Sequence, residues 1–248
     1  MARQQAASIE AEEIAQFARH AGDWWNPNGS FRPLHRLNPV RLEYVRDQVC
    51  AHFGREPNRR NPLEGLSVLD VGCGGGLLTE PLARMGAKTE GLDAAEEAIQ
   101  TAKQHAKASK LSITYHADSV ENLARGKNRY DLITALEIVE HVADMNSFLG
   151  ALKKLLKPDG ILIMSTLNRT PKSFLLGIVA AEYILNWVPR GTHQHKKFVK
   201  PSELVQRLEE MDLRTTDLTG LIYNPLRREF ELRSDDLNVN YMLTAMHD

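Results

Sequence analysis

The stretch Val68-Leu69-Asp70-Val71-Gly72-Cys73-Gly74-Gly75-Gly76 decides how the rest of the chain is read. It opens as a short apolar run carrying one carboxylate, which reads as a strand in the middle of a sheet. Gly72, Gly74 and Gly76 then let the backbone turn tightly and approach a ligand closely, and Leu77 begins a helix. A glycine loop alone is an ordinary tight turn. Here a second apolar run ends in Gly91-Leu92-Asp93, which sets a carboxylate where it can accept from both hydroxyls of a ribose.

Two cofactor classes use a strand, a glycine loop and a helix in this order. A dinucleotide site asks for G-x-G-x-x-G/A, with the pyrophosphate on the helix N-terminus. Counted from Gly72, the third position is Leu77, and Asp70 would set a carboxylate beside the phosphates. A cofactor with a cationic amine and a sulfonium favours that charge instead. An NAD-dependent dehydrogenase is therefore the least favoured reading. The loop resembles the D-x-G-x-G-x-G signature of class I S-adenosylmethionine (SAM) methyltransferases. That resemblance implies an α/β, Rossmann-like fold with a seven-stranded sheet, its last strand antiparallel. It also implies adenine contacts near Asp118-Ser119 and a cofactor lining at Ala135-Leu136. Asp118 has a competing role as cap of the helix that follows.

Outward from the loop, apolar runs at 67–71, 88–92, 112–116, 131–135 and 160–165 alternate with helical stretches at 77–85, 94–108 and 147–156. Such alternation implies parallel strands joined by right-handed crossovers, with ligands beyond their carboxyl ends. A helix from 201 to 211 precedes further strand-like runs at 213–223, 229–232 and 239–245. Before the loop, 9–21 reads as an amphipathic helix, and Trp24-Trp25 sit in a turn-rich segment. Residues 39–53 read as a second helix with Pro39 in its first turn, and 55–65 as an exposed loop. The expected organisation is an N-terminal helical extension and loop over 1–65, then a methyltransferase domain over 66–248 with an apolar insertion at 171–200.

Composition narrows the function. A formal net charge of −1 over 248 residues supplies no basic field, so no nucleic-acid partner is expected. Two cysteines without metal-type spacing suit a reducing cytoplasm, and the first ten residues lack the apolar core of a secretory signal.

Beyond the fourth strand stands Leu136-Glu137-Ile138-Val139-Glu140-His141-Val142. On a helix, Glu137, Glu140 and His141 share one face. Two carboxylates and an imidazole there can hold a divalent metal or serve as acid and base. A helix cap with solvated carboxylates is the plain alternative.

From here the chain resembles the ubiquinone-biosynthesis O-methyltransferases over nearly its whole length. The motifs are Trp24-Trp25, Phe31-Arg32-Pro33-Leu34-His35-Arg36-Leu37-Asn38-Pro39-Val40-Arg41-Leu42, the glycine loop, the segment from Leu136 to Val142, and Ser165-Thr166-Leu167-Asn168-Arg169-Thr170. They continue with Ala181-Glu182-Tyr183-Ile184-Leu185, Val188-Pro189-Arg190-Gly191-Thr192-His193, Tyr223-Asn224-Pro225 and Val239-Asn240-Tyr241-Met242. The loop at 55–65 is longer than the family leads one to expect.

The resemblance implies transfer of the methyl group of SAM to a hydroxyl of a polyprenylated catechol or demethylubiquinol, at both O-methylation steps. It implies cofactor contacts from Arg41, Gly72, Asp93 and Leu136, to which the loop reading adds Asp70, Gly74 and Asp118. It also implies a Mg²⁺-like ion at Glu137, Glu140 and His141. His141, Glu140 and His193 are the candidates for taking the phenolic proton, and His193 reads equally as a surface histidine.

Residues 173–188 are apolar nearly all round, too short to span a bilayer at the ~20 residues required, and flanked by Lys172, Arg190, Lys196, Lys197 and Lys200. The favoured reading is an interfacial helix that admits a lipid-soluble substrate, giving a cytoplasmic enzyme held peripherally at the membrane, among other ubiquinone-biosynthesis proteins. A lid over the substrate is the alternative. The rival functions are a soluble small-phenol O-methyltransferase and a non-catalytic SAM-binding scaffold.

Overall fold

The computed structural model describes residues 21–174, 195–227 and 229–248. Within them lies an eight-stranded sheet ordered β3-β2-β1-β4-β5-β8-β6-β7. Its strands are β1 (Ser67–Val71), β2 (Lys88–Asp93), β3 (Thr114–Ala117), β4 (Tyr130–Leu136), β5 (Leu156–Leu167), β6 (Leu213–Asn224), β7 (Glu229–Arg233) and β8 (Asn240–His247). Strands β1 to β5 are mutually parallel, and β8 runs antiparallel between β5 and β6. The family pattern of seven strands is exceeded by one. Strand β7 folds back on β6 as a hairpin at the sheet edge.

The central strands alternate between two cores. Leu69, Val71, Ile133, Ala135, Leu162, Met164 and Leu243 face α4 (Met145–Leu155) and α5 (Pro201–Glu209), through Phe148, Leu152, Leu204 and Leu208. Val68, Leu132, Ile161, Ile163 and Met242 face the other way, onto Tyr44, Val45 and Val49 of α1 (Arg32–His52) and Leu82 of α2 (Thr79–Arg84). A strand covered on both faces has no polar side to show, which is why these segments read as continuous apolar runs. Helix α3 (Glu96–Ala108) covers the loop end through Ala98, Ile99 and Ala102.

Helix α1 differs from its expected start at Pro39. It begins at Arg32 with Pro33 in the first turn, and Pro39 lies inside it. A proline there removes one backbone hydrogen bond. Packing overrides it: Leu37, Arg41 and Tyr44 are buried on either side, and Asn38 Nδ2 donates to Leu77 O at 2.7 Å. The N-terminal segment thus forms one layer of the core.

The strand order reverses between β1 and β4, so the carboxyl ends of these two strands open a crevice at the rim of the sheet. Every residue of the site comes from that rim or from α1 above it.

Candidate active site

The glycine loop is held open by its backbone. Gly72, Gly74 and Gly76 have φ of +74°, +51° and +89°, a region that side chains disfavour. The Gly72 N–H donates to Leu92 O at 2.8 Å, and the Gly74 N–H donates to Asp93 Oδ2 at 2.8 Å. Asp93 Oδ1 accepts from the Ala95 N–H at 2.8 Å. The carboxylate expected to face a ribose therefore also pins the loop to the end of β2. Burial raises its pKa, although these N–H groups favour the charged form.

Asp70 sits below the loop and is buried. Its oxygens accept from Thr79 Oγ1 at 2.6 Å and from Thr134 Oγ1 at 2.8 Å, so it braces β1 against α2 and β4. Burial pushes this carboxyl up to about 6, against both hydroxyl bonds. Asp118 is exposed, and its Oδ1 accepts from the Ser119 N–H at 2.7 Å and from Asn122 Nδ2 at 2.8 Å, beside the helix Val120–Leu123. The cap of that helix is Ser119, whose Oγ accepts from the Asn122 N–H at 3.3 Å, so the capping role expected of Asp118 falls to its neighbour.

The far side of the crevice starts at Leu136, the last residue of β4, which pairs with Ser165 of β5. Glu137 follows with φ +52° and donates its N–H to Ser165 O at 2.9 Å. Only Val139–His141 forms a turn, of the 3-10 type. The expected single helical face for Glu137, Glu140 and His141 is therefore corrected: a left-handed residue cannot continue a right-handed helix, and the Glu137 N–H is tied to Ser165 O just past the end of β4. Among the described residues no three His, Cys, Asp or Glu side chains are grouped so as to hold a metal ion.

Glu137 instead anchors a network. Its Oε1 accepts from Ser165 Oγ at 2.7 Å and from Asn240 Nδ2 at 3.0 Å, and lies 3.0 Å from Arg41 Nη2. Burial works to raise its pKa, but the Arg41 charge and these hydrogen bonds outweigh it and hold the carboxyl below its usual range. Arg41 is itself buried. Its Nε and Nη2 have no hydrogen-bond partner, so the contact with Glu137 is an ion pair without an aligned N–H. Glu140 is buried beside this pair and accepts from Thr166 Oγ1 at 2.7 Å. Burial first, and then the Glu137 charge, raise its pKa; His141 and Thr166 only partly oppose them. His141 is partly exposed at the end of the turn. His193 lies outside the described residues, as does 175–188 of the apolar segment.

A methyltransferase domain model matches residues 41–218. A ubiquinone biosynthesis O-methyltransferase of Chelativorans sp. (strain BNC1) is 50% identical over 238 residues, covering 96% of this chain and 94% of that protein. Its counterpart in Brucella ovis is 49% identical, covering 96% of each. The chain belongs to the ubiquinone biosynthesis O-methyltransferase family. It is a SAM-dependent O-methyltransferase, and its fold is that of the class I enzymes. A SAM-dependent methyltransferase from Thermotoga maritima superposes with a TM-score of 0.67 at 15% identity, over 95% of this chain and 100% of that one. A magnesium protoporphyrin IX methyltransferase from Synechocystis PCC 6803, solved with bound SAH (S-adenosylhomocysteine), gives 0.63 at 19% identity, over 94% and 95%.

Within this O-methyltransferase the expected residues divide by position. Asp70, Gly72, Gly74 and Asp93 gather at the β1–β2 end of the crevice, and Leu136, Glu137 and Glu140 at the β4–β5 end. Arg41 reaches the second group from α1. Two participants were not singled out by the sequence. Trp24 is buried over the loop, where a Cβ on Gly74 or Gly75 would fall on its ring, and it stacks on Phe31 at 3.7 Å. Asn240 reaches Glu137 from 103 residues further along the chain. An aromatic pair in a turn-rich segment was the visible signal for Trp24; Asn240 stood only within the motif Val239-Asn240-Tyr241-Met242, with no role attached.

Proposed function

We propose that this O-methyltransferase methylates a phenolic hydroxyl of polyprenylated catechol and demethylubiquinol intermediates of ubiquinone biosynthesis. Glu140 carries the reading: a buried carboxylate with a raised pKa, at the rim where methyl transfer must occur, suits removal of a phenolic proton. A phenol ordinarily ionises near 10, so transfer at neutral pH needs such an acceptor, and His141 beside it is the second candidate.

The cofactor supplies an electrophilic methyl group on sulfur. The residues present fit it. Arg41 offers a buried guanidinium whose Nε has no hydrogen-bond partner and whose Nη2 is ion-paired but not hydrogen-bonded to Glu137, a cation that can bind a carboxylate by charge-assisted bonds. Gly72 and Gly74 supply the positive-φ turn that shapes the loop, their sides being packed by Ile138 and Trp24, and Asp93 retains lone pairs for the ribose. Holding oxygen, methyl and sulfur in line is the main task, and orientation of this kind accounts for roughly 7–11 kcal/mol of a barrier.

The family resemblance assigns a Mg²⁺-like ion to Glu137, Glu140 and His141; the mutual repulsion of the two glutamates supports a cation there, while the three side chains are not grouped as a ligand set in this arrangement. Such an ion would lower the phenol pKa and orient adjacent oxygens. It would also have to share Glu137 with Arg41. The apolar segment 173–188 would lie at the membrane surface and admit the prenyl tail. No described helix is long and apolar enough to cross a membrane.

The test is methyl transfer to a short-chain prenylated catechol, with Mg²⁺ or with chelator, for the wild type and Glu140→Gln. The reading expects turnover by the wild type and a loss on the order of 10²-fold or more in the variant. Full activity of Glu140→Gln under chelator would remove both the carboxylate and the ion from the mechanism.

A further inference from the structure

The rim of the sheet orders its components. Reading from β2 to β8, Asp93 and the glycine loop come first, then Leu136 and Glu137 at the end of β4, then β5, then Asn240 at the start of β8. A cofactor with its ribose at Asp93 and its carboxylate at Arg41 fills the first part. The methyl acceptor must lie beyond it, towards β5 and β8.

Asn240 stands in that second part and is 7% exposed. Its Nδ2 donates to Glu137 Oε1 at 3.0 Å. Glu137 also receives Ser165 Oγ at 2.7 Å and the Arg41 charge, so the carboxylate is fixed and the amide cannot turn over without losing its acceptor. The amide oxygen is therefore the free end. Asn240 Oδ1 is buried and has no hydrogen-bond partner. A buried acceptor without a donor is costly, and the cost is recovered when a ligand supplies one.

We propose that Asn240 Oδ1 accepts a hydrogen bond from a hydroxyl of the phenolic substrate and makes the site prefer the free hydroxyl over its methyl ether. This rests on the phenol O-methylation reading above. A hydroxyl satisfies the amide oxygen. A methoxy group brings no proton and leaves it unpaired, so the same residue that positions the substrate weakens the hold on the methylated product. Asn240 is a specificity residue and not a base, because an amide does not take the proton away.

Asn168 supplies the comparison. Its Oδ1 is also buried and unpartnered, but its Nδ2 donates to Leu237 O at 2.8 Å and to none of the crevice residues.

The experiment is calorimetric binding of a short-chain prenylated catechol and of its monomethyl ether to the SAH-loaded protein. The wild type is expected to favour the catechol on the order of 10–100-fold. In Asn240→Leu the preference should collapse by weaker catechol binding, with SAH affinity unchanged, while Asn168→Leu keeps it. Asn240→Ser, smaller and still polar, replaces the leucine variant if that one fails to bind SAH. A preference retained in the Asn240 variant that binds SAH normally would overturn the role of Asn240. Loss of SAH binding in both Asn240 variants would assign the residue to the cofactor and overturn it too. A wild type that binds neither phenol would sink the phenol reading itself, a result distinct from the others.

Discussion

Arg41 Nη2 lies 3.0 Å from Glu137 Oε1, a contact that joins helix α1 to the end of β4 across the crevice. Both side chains are largely buried, so removing one partner strands the other. In Arg41→Met, the guanidinium that would receive the cofactor carboxylate disappears. SAH affinity should fall on the order of 10–100-fold. The uncompensated Glu137 should lower folding stability by about 3–5 kcal/mol. Calorimetric titration and urea denaturation measure the two effects separately. An SAH affinity equal to that of the wild type would remove Arg41 from the cofactor site.

Trp24 occupies the space that a side chain at Gly74 or Gly75 would need. Gly74→Ala should therefore destabilise the protein, both through the clash and through the φ of +51°, by about 1–3 kcal/mol. Trp24→Ala alone should also destabilise, by loss of a buried aromatic stacked on Phe31. The two losses should not add. With the indole gone the clash goes too, so the double variant should recover part of the Gly74→Ala cost. Additive losses in a double-mutant cycle would mean that the ring does not rest on the loop.

What the sequence disclosed follows from the range of each interaction. Strands β1, β4 and β5 were legible because burial on both faces leaves apolar runs, and the loop because left-handed turns call for glycine. The start of α1 was misjudged, since a proline favours the first turn of a helix and Pro39 was read as that start, whereas the packing of Leu37 and Tyr44 that carries the helix through it is tertiary. The Glu137–His141 cluster was legible as chemistry but not as geometry. Spacing suggested one helical face, whereas the left-handed turn at Glu137, fixed by its N–H bond to Ser165 O, sets that residue apart from the short turn carrying Glu140 and His141. Asn240 was visible only within a motif and not as a site residue, because its significance is a contact with Glu137 across the intervening strand β5.

The apolar segment yields a prediction from sequence alone. If 173–188 lies at a lipid surface, the wild type should float with anionic liposomes, and a Leu176→Glu, Ile184→Glu double variant should stay in the dense fraction. Burying two carboxylates in the interface is unfavourable, while the flanking lysines and arginine keep their attraction for the headgroups. Equal flotation of both proteins would leave the segment as a lid over the substrate.

Asp70 predicts a pH dependence whose sign is fixed by burial. The folded carboxyl titrates at about 6, against 3.8 for the ordinary group. Between these values the folded state holds more protons than the unfolded state, so this residue's contribution to stability falls as pH rises through that window and is flat above it. About two pKa units correspond to ~3 kcal/mol. An amide in place of the acid, as in Asp70→Asn, keeps the shape and can still pair with both hydroxyls, since threonine donates or accepts. Relative to the wild type, Asp70→Asn should therefore gain stability by up to ~3 kcal/mol between about pH 4 and pH 7, as read by denaturation at several pH values. A wild-type-to-variant difference that stays flat across the window would mean that Asp70 is not held by burial. SAH affinity in the same samples separates the two roles open to the residue. A brace between Thr79 and Thr134 predicts little change at neutral pH, whereas a counter-charge to the cofactor's amine predicts a marked loss.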